Sequence, residues 1–183
     1  MPFPIASPFV PDAAALDRFK DQSGKSLREL SDERPCLVVF LRHAGCTFCR
    51  EAVTDLVRDR DKIVASGSGI VLVHMMNEAA AAPFFAKYGA GDWPRISDPD
   101  QTLYDTFEIP NGSFSQLLGP RNWWWGAKAL FGKGHGVGWP VGNVRRLPGS
   151  FLLHHGRVLK AFRGEASSDR PDYCEIAAPA AAG

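Results

Sequence analysis

The sequence predicts an α/β fold, a central and at least partly parallel β-sheet flanked by helices. Three observations predict it. Two short apolar runs, Cys36 to Leu41 and Ile70 to Met76, are rich in β-branched residues and too short for buried helices. Each is followed by a stretch of helical character, and strand, helix, strand, helix at these lengths makes a βαβ unit. Near the end, Ser150 to His154 and Arg157 to Phe162 are two short strands joined at His155-Gly156, a hairpin signal.

The elements follow in order. Residues 1–12 carry prolines at positions 2, 4, 8 and 11 and read as an extended lead-in over the surface. From Asp12 to Leu30 the apolar positions Leu16, Phe19, Leu27 and Leu30 are sparse and divided by Gly24, which suits a short helix and a turn. After the first strand, Ala52, Val53, Leu56, Val57, Ile63 and Val64 recur at helical spacing, with Glu51, Asp55, Arg58, Asp59 and Asp61 on the outer side. Gly67-Ser68-Gly69 stops that helix. The alanine-rich stretch from Glu78 to Tyr88 is a second helix, ended by Gly89. Asp98-Pro99-Asp100 is a turn that caps a short helix with Leu103, Tyr104 and Phe107 facing inward. Residues 111–147, with Trp123-Trp124-Trp125 and a glycine-rich run from Gly132 to Gly138, read as an insertion. The stretch Ser167 to Tyr173 has a capping residue and an early proline, so a last short helix begins there; residues 177–183 are a small-residue tail. The 183 residues are enough for one domain with extensions.

Composition removes several functions. Lys plus Arg total 21 against 20 Asp plus Glu, a net charge of +1, so a basic footprint for nucleic acid is missing. The longest unbroken apolar run, Cys36 to Leu41, is far short of the roughly 18 residues of a membrane-spanning helix. The proline-broken start has no basic region and does not read as a signal peptide. The expectation is a soluble cytoplasmic protein.

Cysteine use points to the chemistry. Of Cys36, Cys46, Cys49 and Cys174, only Cys46-Thr47-Phe48-Cys49 forms a close pair, placed where a buried strand gives way to a helix. The first helical turn presents unpaired N–H groups and the positive end of the macrodipole, which favour a thiolate. Arg42 and Arg50 flank the pair and push the same way. Spacing alone leaves two readings open, a redox pair and half a zinc site. A structural zinc site needs four ligands. Cys36 lies in the strand, Cys174 is remote, and His154 and His155, as adjacent strand residues, point to opposite faces. No second half-site is present, which favours the redox reading with no metal and no cofactor. Cys36 reads as core filler and Cys174 as an uninvolved thiol, with a cysteine that resolves a sulfenic acid from a flexible tail as the other option.

The segment Phe40-Leu41-Arg42-His43-Ala44-Gly45-Cys46-Thr47-Phe48-Cys49-Arg50-Glu51 resembles the redox segment of the peroxiredoxin-like AhpC/TSA proteins, nearest to the selenoprotein-L and peroxiredoxin-like 2 branch. Ser97 to Tyr104, Leu147 to Leu152 and Asp169 to Tyr173 fit the same group, so the resemblance runs from about Pro8 to Tyr173. It implies a thioredoxin-like fold with a central mixed β-sheet, and thiol redox activity. Superposing the family's peroxide-reacting cysteine on Cys49 puts Arg42 at its proline and Cys46 at its threonine. The hydroxyl that would orient a peroxide is thus replaced by a second sulfur. The family's distal arginine has two candidates, Arg145 and Arg146, and its cis-proline before a strand has Pro148. The candidate catalytic set is Cys46, Cys49, Arg42, Thr47, Pro148 and Arg145, with His43 as a residue that could tune the thiolate.

The expected function is a thiol-dependent oxidoreductase whose pair cycles between dithiol and disulfide. Cys49 attacks first if the substrate is a peroxide, Cys46 if it is a protein disulfide, and an external thioredoxin- or glutathione-like thiol resets the pair. The alternative is a non-catalytic redox sensor or metal-binding module on the same fold. The triple Trp, with Arg121 and Lys128 near it, reads as a covering helix, with a membrane-surface element or a homodimer face as the other options. Gly132-Lys133-Gly134 is not a phosphate loop, since no Ser or Thr follows the lysine.

Overall fold

The first core strand reads as an unbroken apolar run because both of its faces are buried, as in parallel sheets covered on each side. This strand, β1 (Cys36–Phe40), is buried at every position. In the computed structural model, which describes residues 9–41, 47–112, 145–166 and 169–178 with Thr47 by its backbone alone, β1 is the centre of a five-stranded sheet. β2 (Gly69–His74) runs parallel to it, and β3 (Arg95–Ser97) parallel to β2. On the other side β4 (Gly149–His154) is antiparallel to β1, and β5 (Arg157–Arg163) antiparallel to β4. The order is β3-β2-β1-β4-β5, the mixed sheet that the βαβ unit and the hairpin predict.

Alternation along β1 sorts the core into two layers. Leu37 and Val39 pack with α3 (Thr47–Ala65), α4 (Glu78–Lys87) and α6 (Tyr173–Ala177). Cys36, Val38 and Phe40 face α1 (Ala13–Arg18), α2 (Leu27–Glu33) and α5 (Thr102–Thr106). There Phe40 meets Tyr104, Phe107 and Phe151 with ring centroids 5.0–5.6 Å apart. Cys36 and Cys49 therefore lie on opposite faces of the sheet.

Most local expectations hold, and the exceptions have physical causes. α3 ends as expected before Gly67, which takes φ +89°. On its surface Val64, counted with the inner face, is 50% exposed, while Glu51, counted with the outer face, is buried, because an arginine from the C-terminal segment reaches over it. The Asp98 carboxylate caps α5 by accepting from the N–H groups of Thr102 and Leu103, at 3.0 and 2.8 Å. Between residues 12 and 33 there are two helices rather than one. The second is started by a capping box in which Ser26 accepts from the Glu29 N–H and Glu29 accepts from the Ser26 N–H. β3 is too short to leave a periodic trace and has no counterpart in the sequence reading. α6 begins at Tyr173, capped by Asp172, and not further upstream.

The hairpin turns at His155 and Gly156, both with positive φ (49° and 67°), as a two-residue turn requires. His155 has thus left the strand. Its ring stacks on His154 at 3.9 Å, and the two do not point to opposite faces. The insertion's ends meet: Asn111 bridges Arg146, and the Gly112 N–H donates to the Arg145 carbonyl at 2.7 Å. Residues 113–144, with the Trp triplet and the glycine-rich run, lie outside the described residues, as do residues 1–8 and Ser167-Ser168. No helix among the described residues is long and apolar enough to cross a membrane.

Candidate active site

β1 ends at Phe40 and the next element, α3, begins at Thr47, which puts Cys49 in the first turn of a helix. Cys49 is 5% exposed. With Phe48, Leu41, Pro148, Arg170 and Tyr173 it lines a cavity of about 20 Å³, room for one water-sized group between largely apolar walls.

The C-terminal segment closes this cavity from the side. Arg170 places one guanidinium nitrogen 3.1 Å from the buried Glu51 carboxylate and another 2.9 Å from Asp55, both on α3. Beside it, the buried Asp169 accepts from the N–H groups of Glu165 and Ala166. The guanidinium thereby joins the C-terminal segment to the first turns of the helix that carries Cys49, its charge balanced by the two carboxylates it pairs with.

Two buried tyrosines stand near the sulfur. Burial raises the Tyr104 phenol well above its ordinary range, and the charge of Cys49 raises it further. Burial likewise raises Tyr173, with Asp55 and Cys49 adding and Arg170 opposing. Both therefore keep their protons at pH values where a thiolate forms. The Tyr104 hydroxyl donates to the Leu41 carbonyl, the last backbone oxygen before the redox segment.

The predicted residues fall into three groups. Cys49 and Pro148 share the cavity. The Leu147–Pro148 peptide is trans, so the expected cis-proline is corrected; Pro148 reaches the cavity wall from the residue just before β4 without it. Of the two arginine candidates, Arg145 is exposed, whereas Arg146 is buried beneath the site with its guanidinium over the Tyr104 ring at 6.0 Å. Arg50 is half-buried on α3. Arg42, His43 and Cys46 lie outside the described residues, as does the Thr47 side chain. Arg170, Glu51, Tyr104 and Tyr173 are the contributors that sequence reasoning missed. Arg170 and Tyr173 lie in a stretch read as a helix start and Tyr104 in one read as core; both stretches also fit the family resemblance, but no site role was attached to these residues.

The other two described cysteines behave as filler and surface thiol. The Cys36 thiol donates to the Leu30 carbonyl at 3.2 Å, and burial pushes its pKa up to about 12. At pH 8 only about one molecule in ten thousand then carries the thiolate. Brief iodoacetamide treatment of the folded protein at that pH is expected to label Cys174, which is partly exposed, well before Cys36. Peptide mass spectrometry showing equal labelling would refute the buried, protonated assignment.

No family model matches the chain. A curated relative, the chloroplastic thioredoxin-like protein AAED1 of Arabidopsis thaliana, is 29% identical over 104 residues, which are 55% of this chain and 42% of the relative. The chain thus spans less than half of that protein's length. A cysteine variant of peroxiredoxin Q from Xanthomonas campestris superposes over 87% of this chain and 86% of its own, with a TM-score of 0.60 and 20% identity. The fold is thioredoxin-like. Peroxidoxin BcpB from Mycobacterium tuberculosis covers 96% of this chain and 92% of its own, at a TM-score of 0.58 and 15% identity. A proposed thiol:disulfide interchange protein, DsbE, from Chlorobium tepidum covers 96% and 91% at 0.53 and 17%. At such identities the likeness concerns architecture. A thioredoxin-like scaffold hosts many chemistries, so function rests on the residues around Cys49.

Proposed function

We propose that this chain is a thiol-dependent oxidoreductase in which Cys46 and Cys49 cycle between dithiol and disulfide. The observation that carries the reading is Cys49 itself, in the first turn of α3 and in the wall of a small apolar cavity. Its partner precedes it by three residues. That arrangement favours a thiolate and excludes bulk water from it.

With a peroxide, the Cys49 sulfur attacks one oxygen and the O–O bond breaks. The other oxygen leaves as water or an alcohol after taking a proton, and the sulfur becomes a sulfenic acid. The Cys46 thiol then attacks that sulfur and water departs, leaving the disulfide. With a protein disulfide, Cys46 attacks, a mixed disulfide forms, and Cys49 releases the reduced product. In both cases two electrons leave the pair and an external thiol, thioredoxin- or glutathione-like, returns them. We assign the chain to the selenoprotein-L and peroxiredoxin-like 2 branch as one cytoplasmic domain with an insertion over residues 111–147.

Thiol mass spectrometry after sub-stoichiometric peroxide tests this. In the parent the expected product is a Cys46–Cys49 disulfide, and in Cys46→Ser a sulfenic acid trapped on Cys49. No oxidation of either residue, with zinc bound instead, would replace the proposal with a metal-binding module.

A further inference from the structure

We propose that Tyr104 is a positioning residue for Cys49, which shares a cavity wall with Leu41, an inference that rests on the redox reading above. Tyr104 is fully buried in α5, on the other side of the sheet from α3. Its hydroxyl does not serve its own helix. It donates across the carboxyl end of the sheet to the Leu41 carbonyl, with the Val73 carbonyl 3.4 Å away. Leu41 is the point where the chain leaves β1 for the segment that carries Cys46, and its own N–H is tied to Val73 at 2.8 Å. Two bonds, one backbone and one from Tyr104, therefore fix the Leu41 backbone where β1 stops.

The tyrosine is itself locked. Its ring sits edge-on to Phe40 with centroids 5.0 Å apart. The buried Arg146 guanidinium lies over the ring and is held by the Ile109 carbonyl, the Asp105 carboxylate and Gln101 Oε1. Gln101 holds that brace from a left-handed backbone at φ 62°, a strained conformation for a residue with a side chain. A side chain so restrained fixes the carbonyl it binds to within a fraction of an ångström, as a redox pair on a helix terminus requires. Because Arg146 also bridges Asn111, the same brace joins the neck of the insertion to the start of the redox segment.

The test uses the full chain, with Tyr104→Phe set against Ser68→Ala. Ser68 makes an equivalent buried hydroxyl-to-carbonyl bond, 2.6 Å to Ala177, at the far end of the sheet, so its loss reports on stability alone. The readout is iodoacetamide alkylation of Cys46 and Cys49 against pH, resolved by peptide mass spectrometry. The expected result is that Tyr104→Phe raises the pH of half-maximal alkylation by half a unit or more, about threefold in thiolate population. The reason is that the first-turn N–H groups no longer align on the sulfur. Ser68→Ala leaves the profile in place. Arg146→Lys, which keeps a cation but loses the fork, shifts it in the same direction and serves if Tyr104→Phe does not fold. Unchanged profiles in both site variants, or an equal shift in Ser68→Ala, would overturn the positioning role. Failure of the parent pair to form a disulfide would instead defeat the redox reading, and the alkylation profile separates the two failures.

Discussion

Cys49→Ser is expected to lower peroxide- or disulfide-dependent turnover by about a thousandfold or more. A serine hydroxyl keeps its proton at neutral pH and is a poor nucleophile toward sulfur or peroxide oxygen. The loss is therefore chemical, and the fold stays intact because the exchange is nearly isosteric. Cys46→Ser should behave differently. With peroxide it completes one half-reaction and stops at the sulfenic acid, so a single burst precedes the stall. Cys36→Ser and Cys174→Ser should keep parental rates, since Cys36 lies on the opposite face of the sheet and Cys174 outside the cavity. Consumption of peroxide coupled to an external dithiol measures all four, with circular dichroism to check folding. Near-parental turnover in Cys49→Ser would remove the sulfur from the mechanism.

The second large effect concerns stability. His74, the last residue of β2, is fully buried against Phe85, with ring centroids 5.3 Å apart, and neither ring nitrogen has a hydrogen-bond partner among the described residues. The Met76 backbone, the polar group beside the ring, favours the protonated form weakly and does not offset the burial. Burial pushes the imidazole pKa down to about 4; the Glu78 carboxylate opposes this and Arg95 adds to it. The folded pKa lies below the unfolded value of 6.5, so the unfolded chain binds the proton more tightly. The associated stability is present in full above pH 6.5 and is lost as the pH falls toward 4. Between pH 8 and pH 5 the loss is about 2 kcal/mol, rising to the order of 3 kcal/mol at lower pH. His74→Leu should remove that dependence and, by eliminating two unsatisfied polar atoms, stabilise the protein at pH 8 by about 1–2 kcal/mol. Urea unfolding of both proteins at pH 8 and pH 5 decides the matter. Parallel losses in the two would mean that other groups, such as the Glu78–Arg95 pair, govern the acid response.

Patterns confined to a few neighbouring residues could be read from the chain directly. The apolar run at Cys36 announces a central strand because burial on both faces leaves no polar position. Gly67 and the pair His155-Gly156 announce a helix stop and a hairpin because those backbones need positive φ. Asp98 announces a cap because its carboxylate sits within reach of the next N–H groups. The Cys-x-x-Cys spacing, placed after a strand, points to the proposed redox pair on the same local grounds. β3 escapes because three residues carry no period, and the second N-terminal helix because its seven residues hold only two apolar positions, Leu27 and Leu30, behind the Ser26-x-x-Glu29 box.

The sequence by itself determined the βαβ core, the hairpin, the mixed sheet and the helix terminus that presents Cys49. Only the tertiary structure decided which distant side chains gather around the end of β1 and the start of α3. Arg170 turns Glu51 from a surface charge into half of a buried pair, Arg146 rather than Arg145 lies beneath the site, and Tyr104 reaches Leu41 across the sheet. The reason is physical. Local patterns depend on backbone geometry within a turn or two, whereas contacts between residues many tens of positions apart depend on how layers pack, and packing leaves no period in the chain.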